Sequence, residues 1–192
     1  KWRQDKELSN WELSNGKSPI PHLIKQRVLE RFAQQYQLST LVETGTYYGD
    51  MVEAMKDKFE RIYSIELNAE LHELAKKRFS RDEHIILLCG DSGQKIKNIL
   101  PALKSPALFW LDAHYSAGIT ARADKDTPIL DELFHILKAS KQHVVVIDDA
   151  RCFGSDAAYP SIEQVKAFVS DIRPGAEVVV EDDSIQIYPV VA

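Results

Sequence analysis

The sequence has only two cysteines, no excess of basic residues and no long hydrophobic run, and each absence excludes a class of protein. Cys89 and Cys152 lack the spacing of a zinc site or of a disulfide scaffold, which suits a reducing, cytoplasmic location. Cys89 ends an apolar run and is therefore predicted to be a small buried residue. The net charge of −5 argues against a general nucleic-acid surface and against binding to an anionic membrane.

No apolar stretch approaches the ~20 residues that a bilayer-spanning helix needs, so no membrane span is predicted. The length of 192 residues is typical of one domain. Residues 1–17 show no sustained periodicity and are predicted to form an N-terminal arm or linker, followed by a single domain over residues 18–192. Since the chain starts at Lys1 and not at Met, we expect it to belong to a larger multidomain protein. A homo-oligomer stays open as the alternative assembly.

Short β-rich runs alternate with amphipathic helical patterns from Leu41 onward. This alternation predicts a doubly wound α/β fold, with a mostly parallel, seven-stranded sheet and helices on both faces. A helix is predicted ahead of the first strand, from Ser18-Pro19 to about Tyr36. Asp182-Asp183-Ser184 separates the last two β-rich runs and predicts a C-terminal antiparallel hairpin.

The spacing of apolar residues assigns an inward face to the predicted helices. One helix opens at Asn68, another after Thr127-Pro128, and a third near Ser161, where Gln164 completes the spacing of a capping box. The residues predicted to face the core from the first two of these helices are Leu71, Leu74, Ala75 and Phe79, then Leu130, Leu133, Phe134 and Leu137.

Every predicted parallel strand ends in a carboxylate. These residues are Glu43, Glu66, Asp91, Asp112 and the pair Asp148-Asp149. A single such residue is usually a helix cap or a solvated turn. Because the carboxyl ends of parallel strands meet at one edge of the sheet, where α/β proteins bind their ligands, the whole set predicts a binding site.

The turn after the first strand has the sequence Glu43-Thr44-Gly45-Thr46-Tyr47-Tyr48-Gly49. Gly45 and Gly49 allow the backbone to approach a ligand closely. A dinucleotide site favours G-x-G-x-x-G, and Tyr47 stands in place of the middle glycine. Glu43 suits a ligand with a positive charge, and Glu66 occupies the position that accepts hydrogen bonds from ribose. Together these features favour a nucleoside with a cationic tail, such as S-adenosylmethionine.

The chain from Leu41 to Tyr188 resembles the class I S-adenosylmethionine-dependent methyltransferases. The matching stretches are VETGTYYG, YSIEL, CGDS, FWLDAH and the closing VVVEDDSIQIYP. The resemblance implies that Glu66 holds the ribose and that Asp91 and Ser92 lie against the adenine. The residues that it places around the rest of the cofactor are Glu43, Gly45, Thr46, Tyr47, Gly49 and Asp112.

An aspartate after strand four and an Asp-Asp pair after strand five resemble the metal-dependent O-methyltransferases of the catechol and macrocin types. The resemblance implies that Asp112, Asp148 and Asp149 bind one divalent cation, with Mg²⁺ expected. The chemistry of the residues supports the same assignment, since hard oxygen ligands suit Mg²⁺ or a similar cation. A dication would also remove the electrostatic cost of clustering carboxylates at the end of a buried strand.

A metal ion at this position would lower the pKa of an acceptor hydroxyl for attack on the sulfonium methyl. His114 is the candidate general base, although a loop histidine satisfied by the backbone fits the sequence equally well. Arg151 is expected to bind an anionic group of the acceptor or, alternatively, to pair with Asp148 or Asp149. Residues 113–128 form a long connection that is predicted to cover the acceptor, which we expect to be a small molecule or a saccharide. Tyr159 is a further candidate to face this site.

Three other interpretations stay open. Asp112-Ala113-His114-Tyr115 has the outline of the D-P-P-Y turn of metal-independent N-methyltransferases, although both prolines are absent. WLDAHYSAG is similar to the Asp-x-His metal motif of arginase-like hydrolases, but the later IDDAR does not supply their second motif. The third interpretation is a non-catalytic module of a larger protein, in which Arg151 neutralises the aspartates.

Overall fold

The computed structural model describes residues 20–112, 129–156 and 158–190. Within these ranges the helices are α1 (His22–Gln35), α2 (Asp50–Met55), α3 (Ala69–Arg78), α4 (Ser92–Ile99), α5 (Ile129–Lys138) and α6 (Ile162–Ile172). The strands are β1 (Thr40–Thr44), β2 (Arg61–Glu66), β3 (Ile85–Cys89), β4 (Leu108–Leu111), β5 (Val144–Ile147), β6 (Ala176–Glu181) and β7 (Ser184–Pro189). Residues 1–17, predicted to form an arm, lie outside the described residues.

The strands form one seven-stranded sheet in the order β3-β2-β1-β4-β5-β7-β6. Strands β1 to β5 are parallel, whereas β7 pairs antiparallel with both β5 and β6. The predicted doubly wound α/β fold is therefore confirmed. The strand order reverses between β1 and β4, and ligands of such folds bind beside that point.

The hairpin predicted at the C-terminal end is confirmed. Strands β6 and β7 are joined through Asp182 and Asp183, which have φ angles of 50° and 51°. Two consecutive residues with positive φ form the turn that matches the twist of a hairpin. The hairpin places Asp183 beside the end of β5, where the backbone N–H of Ala150 donates to the Asp183 carbonyl.

Apolar side chains pack on both faces of the sheet. Residues of α1, α2 and α3 cover one face and residues of α4, α5 and α6 cover the other. All four residues of β5 are buried, as expected of a central parallel strand. No helix in the described ranges is both long enough and apolar enough to cross a bilayer.

Local capping signals explain where two helices begin. Asn68 accepts hydrogen bonds from the backbone N–H groups of Glu70 and Leu71 and so starts α3. At the start of α6, Ser161 and Gln164 form the reciprocal capping box that their spacing predicted.

Several predictions about single residues were wrong. Leu74, Leu130 and Phe134 are 52%, 38% and 38% exposed, because the inward stripes of α3 and α5 are narrower than the apolar pattern. Cys89 is exposed, since it ends an edge strand whose outer residues have no neighbouring strand to cover them. Helix α1 begins at His22, because Pro21 has extended backbone angles, and ends at Gln35.

Candidate functional site

The turn after β1 keeps a glycine-like backbone although Tyr47 replaces a glycine. Gly45, Tyr47 and Gly49 have φ angles of 84°, 50° and 79°. A positive φ is unfavourable for a tyrosine. The backbone N–H of Tyr47 donates to Glu66 Oε2 at 2.8 Å, and the N–H groups of Gly45 and Thr46 donate to the Ile65 carbonyl. These bonds to the end of β2 hold the turn in place, so the departure from the glycine pattern leaves the turn intact.

Gly49 has a packing role that explains why a glycine stands there. An added Cβ would lie 2.7 Å from Cε2 of Phe79, closer than two carbon atoms can pack. Gly49 is also the left-handed residue directly ahead of α2. The close approach of this turn to the end of α3 therefore requires a glycine.

Glu43 is the most deeply buried carboxylate of the turn, with 2% of its surface exposed. The hydroxyl of Ser64 donates to Glu43 Oε2, and Thr46 Oγ1 lies 2.6 Å from the same hydroxyl. Burial raises the pKa of Glu43 to about 8; the hydrogen bond from Ser64 opposes the rise, and the charges of Asp112 and Glu66 add to it. A cationic group beside Glu43 would therefore favour release of its proton.

Glu66 ties two segments together at the end of β2. Its two carboxylate oxygens accept the backbone N–H groups of Tyr47 and Asn68, each at 2.8 Å. Each oxygen can accept a second hydrogen bond, which a ribose hydroxyl could supply. The bonds that are present show that Glu66 also shapes the turn.

Asp91 and Ser92 lie where β3 leads into α4. The Asp91 carboxylate accepts the N–H of Gln94 at 2.9 Å and caps α4, and Ser92 is buried. The capping role does not need a ligand. The expected contact of these two residues with adenine stays a prediction.

The structure brings Asp112, Asp148 and Asp149 together at the ends of β4 and β5. One ligand oxygen from each residue lies within 4.8 Å of the other two. Asp148 and Asp149 are buried, and Asp148 Oδ1 has no hydrogen-bond partner among the described residues. Burial and the charge of Asp112 raise the pKa of Asp148, while Lys25 opposes that rise. A buried carboxylate oxygen without a donor, within an all-oxygen cluster, fits a hard cation such as Mg²⁺.

Two basic side chains already contact this cluster. Lys25 of α1 forms an ion pair with Asp148 and lies 3.7 Å from Asp149 Oδ1. Arg151 donates to Asp149 Oδ1 at 2.7 Å and also pairs with Asp183. The expectation that Arg151 pairs with an aspartate of the cluster matches this geometry. The sequence analysis did not find Lys25, which lies 123 residues from Asp148.

The rest of the expected acceptor site is described only in part. Tyr159 is half-buried and its ring lies against that of Phe153. Burial raises the pKa of Tyr159, and the negative charges of Cys152, Asp149 and Asp112 add to the rise. His114, Tyr115 and the connection 113–128 lie outside the described residues.

Glu132 is a buried carboxylate that the sequence analysis did not find. It lies on the inward face of α5 with none of its surface exposed, and neither oxygen has a hydrogen-bond partner among the described residues. Burial raises its pKa to about 7, while the nearby hydroxyls of Ser92 and Thr44 oppose the rise. The sequence did contain a signal for this burial. Glu132 lies three residues after Ile129 and four before Ile136, which places it on the same face of the helix as these two apolar residues.

Comparison with known proteins supports the fold. No family model matches the sequence. The chain is 28% identical over 126 residues to the "Probable ribosomal RNA small subunit methyltransferase A" of Methanococcoides burtonii, which covers 59% of this chain and 47% of that protein. The chain thus spans about half the length of this curated relative.

Two solved O-methyltransferases superpose over nearly the whole chain. The first is the enzyme from Bacillus cereus with S-adenosylhomocysteine, at a TM-score of 0.62 and 14% identity, covering 98% of this chain and 91% of that one. The second is TomG from Streptomyces achromogenes with S-adenosylmethionine, at 0.60 and 19%, covering 98% and 89%. The fold is that of the class I methyltransferases. In this class I fold, the acidic cluster and the glycine turn both lie at the carboxyl edge of the sheet.

Proposed function

We propose that this protein transfers a methyl group from S-adenosylmethionine to a hydroxyl group, with the assistance of a divalent metal ion. The convergence of Asp112, Asp148 and Asp149 at the edge that carries the glycine turn is the observation that supports this function best. The methyl acceptor is proposed to be a small molecule or a saccharide, because the net charge of −5 favours such an acceptor over nucleic acid.

The residues of β1 and β2 are proposed to bind the cofactor. Glu43 would face its positively charged part, and Glu66 would accept hydrogen bonds from the ribose hydroxyls in addition to those from Tyr47 and Asn68. Asp91 and Ser92 would lie against the adenine. Gly45, Thr46, Tyr47 and Gly49 shape the turn that brings Glu43 and Glu66 to the same edge.

The residues of β4 and β5 are proposed to bind the metal and the acceptor. Asp112, Asp148 and Asp149 would hold the ion, which when bound lowers the pKa of the acceptor hydroxyl. His114 is proposed to accept the proton of that hydroxyl, and Arg151 to orient the acceptor while it steadies Asp149. Holding acceptor and cofactor in line would supply much of the rate enhancement.

Calorimetry with S-adenosylhomocysteine, with and without Mg²⁺, tests this proposal on the wild type and on Asp149→Ala. We expect the variant to keep its affinity for S-adenosylhomocysteine and to lose both Mg²⁺ binding and methyl transfer. Asp182→Ala is the matched control, because Asp182 shares the positive φ of Asp149 but lies outside the metal cluster. Normal turnover by Asp149→Ala would show that the metal assignment is wrong.

A second candidate function is metal-independent N-methylation of a nucleic acid. The similarity to the Methanococcoides burtonii relative favours it, and the sequence Asp112 to Tyr115 could supply the turn that binds an exocyclic amine. Methyl transfer to RNA that persists in EDTA would support this candidate against the O-methyltransferase.

A further inference from the structure

Lys25 occupies an unusual position for a lysine. It lies in the first turn of α1, where the helix dipole disfavours a positive charge, and that turn contains no acidic residue. Helix α1 packs on the sheet through Val28, Leu29 and Phe32, and its first turn lies close enough to the end of β5 for Lys25 to reach Asp148. The side chain of Lys25 is only 17% exposed. A feature outside the helix must therefore compensate the charge.

The acidic cluster is that feature. Lys25 Nζ pairs with Asp148 Oδ2, lies 3.7 Å from Asp149 Oδ1, and is 5.9 Å from the ring centre of Trp110. The charge of Asp112 acts on it as well. Arg151, a second cation among the described residues at this edge, divides its guanidinium between Asp149 and Asp183.

Other lysine pairs of the described residues differ from this one. Lys56 pairs with Glu53 on its own helical segment, and Lys58 pairs with Glu30. Each of these contacts joins one lysine to one partly exposed carboxylate, a geometry that contributes little. Lys25 instead reaches two buried carboxylates from a different element.

We propose that Lys25 is a tethered counter-ion that occupies the acidic cluster and must be displaced when a divalent cation binds. This inference rests on the metal-binding part of the proposed function. An ammonium group on Asp148 Oδ2 and near Asp149 Oδ1 takes up oxygens that the metal requires, and like charges at such short range repel strongly in a buried site. Because Lys25 belongs to α1, metal binding would also release the first turn of that helix from the edge of the sheet.

Metal affinity measured by calorimetry tests this competition with Mg²⁺ alone. We expect Lys25→Met to bind Mg²⁺ about 10- to 100-fold more tightly than the wild type, because a charged hydrogen bond no longer has to be broken. Lys58→Met is the matched control. It removes a lysine that pairs with Glu30 of α1, and this pair lies away from the acidic cluster. Its affinity for Mg²⁺ should equal that of the wild type.

Thermal unfolding gives a second readout. Lys25→Met should unfold at a lower temperature than the wild type without metal, and Mg²⁺ should raise its Tm more than that of the wild type. If Lys25→Met does not fold, wild-type protein can be labelled with acetic anhydride and analysed by mass spectrometry. Labelling of Lys25 should become faster with Mg²⁺, whereas labelling of Lys58 should not change.

The possible failures can be told apart. Equal or weaker Mg²⁺ binding by Lys25→Met, with binding still abolished by Asp149→Ala, overturns the counter-ion role and leaves the proposed function standing. A rate of Lys25 labelling that does not change with Mg²⁺ also overturns the counter-ion role. Absence of Mg²⁺ binding in every variant overturns both this inference and the metal-dependent part of the proposed function.

Discussion

The two halves of the carboxyl edge satisfy their carboxylates in different ways. At the ends of β1 and β2, Glu43 and Glu66 accept hydrogen bonds from a hydroxyl and from backbone N–H groups. Within the described residues, neither has a basic partner. At the ends of β4 and β5, the buried aspartates contact Lys25 and Arg151.

This difference indicates how each half can accept a ligand. Glu43 and Glu66 accept hydrogen bonds from neutral donors alone, so a cationic ligand can bind there without displacing a basic side chain, and its charge would favour release of the Glu43 proton. The second half already contains cations, so an added metal ion has to rearrange existing ion pairs. The first half therefore resembles a preformed site, and the second half a site that exchanges one cation for another.

The largest expected effects come from removing one carboxylate in each half. Asp148→Asn should weaken Mg²⁺ binding about 100-fold or more and leave S-adenosylmethionine binding unchanged, because an essential anionic ligand is lost from the acidic cluster alone. Glu43→Gln should weaken S-adenosylmethionine binding about tenfold and leave Mg²⁺ binding unchanged, because the carboxylate that faces the cationic part of this ligand is lost. Calorimetry on both variants with both ligands measures the crossed pattern.

Glu43→Gln also tests the pH dependence of cofactor binding. Glu43 has a pKa of about 8 in the folded protein, so it must lose a proton to attract a cation. Affinity for S-adenosylmethionine should therefore increase as pH rises through 8 in the wild type more than in Glu43→Gln. A single variant with weaker binding of both the cofactor and Mg²⁺ would show that the two halves act as one unit.

Gly49→Ala should disrupt the turn after β1, which forms part of the first half of the carboxyl edge. The new Cβ would meet Phe79 and the residue would keep a positive φ, so we expect a loss of about 3 kcal/mol in the free energy of unfolding. Gly175→Ala is the control, because it has a φ of 91° but nothing within 4 Å of the added carbon. It should lose only about 1 kcal/mol by urea denaturation. Equal losses would contradict the steric role of Gly49.

Glu132→Gln should change the pH dependence of stability. Burial raises the pKa of Glu132 from 4.5 to about 7, so the folded state binds a proton that the unfolded state releases. The contribution of this proton to wild-type stability should therefore be fully present below pH 4.5, be lost as pH rises through 7, and stay constant above that pH. Urea denaturation at pH 5 and pH 8 measures this loss. Between these two pH values, the free energy of unfolding should fall by about 2–3 kcal/mol less in Glu132→Gln than in the wild type. The exposed Glu83→Gln should follow the wild type at both values.

The smallest expected effect concerns the two tyrosines of the turn. Tyr47→Gly should change the free energy of unfolding by no more than about 0.5 kcal/mol, because relief of the positive φ offsets the entropy of glycine. Tyr48→Gly should cost about 1 kcal/mol, since its backbone gains no such relief. The two rings contact each other, 4.3 Å apart, and are 42% and 47% exposed, so the lost side-chain contacts are similar. Equal costs in denaturant titrations would contradict this account.

The sequence predicted the features that depend on local pattern. Alternating strands and helices, the Asp182-Asp183 hairpin and the capping box at Ser161 follow from the chemistry of neighbouring residues, and the structure confirms them. The carboxylates at the strand ends were also predictable, because parallel strands bring their ends to one edge. The convergence of Asp112 with Asp148 and Asp149 is a consequence of the pairing of β4 with β5.

The features that the sequence did not predict depend on tertiary contacts. Lys25 resembles an ordinary surface lysine until α1 is packed against β4. Glu132 is a charged residue within the apolar pattern of α5, so the pattern did not assign it to the core, whereas it wrongly assigned Leu130 and Phe134 to the core. Helical periodicity gives the direction of the buried stripe but not its width, and the width is set by the neighbouring elements.

The hydrogen bonds between Arg151 and the Asp183 turn have a consequence for the order in which this edge is completed. Asp183 follows Asp112, Asp148 and Asp149 in the sequence, so a chain emerging from the ribosome contains all three aspartates of the cluster before it contains Asp183. Strand β7, which follows Asp183, lies between β5 and β6 in the sheet. Until that last hairpin is synthesised and docked, Arg151 lacks one of its two anchors and Asp149 is less firmly held. The chemistry of this edge is therefore assembled late, after most of the sheet that supports it.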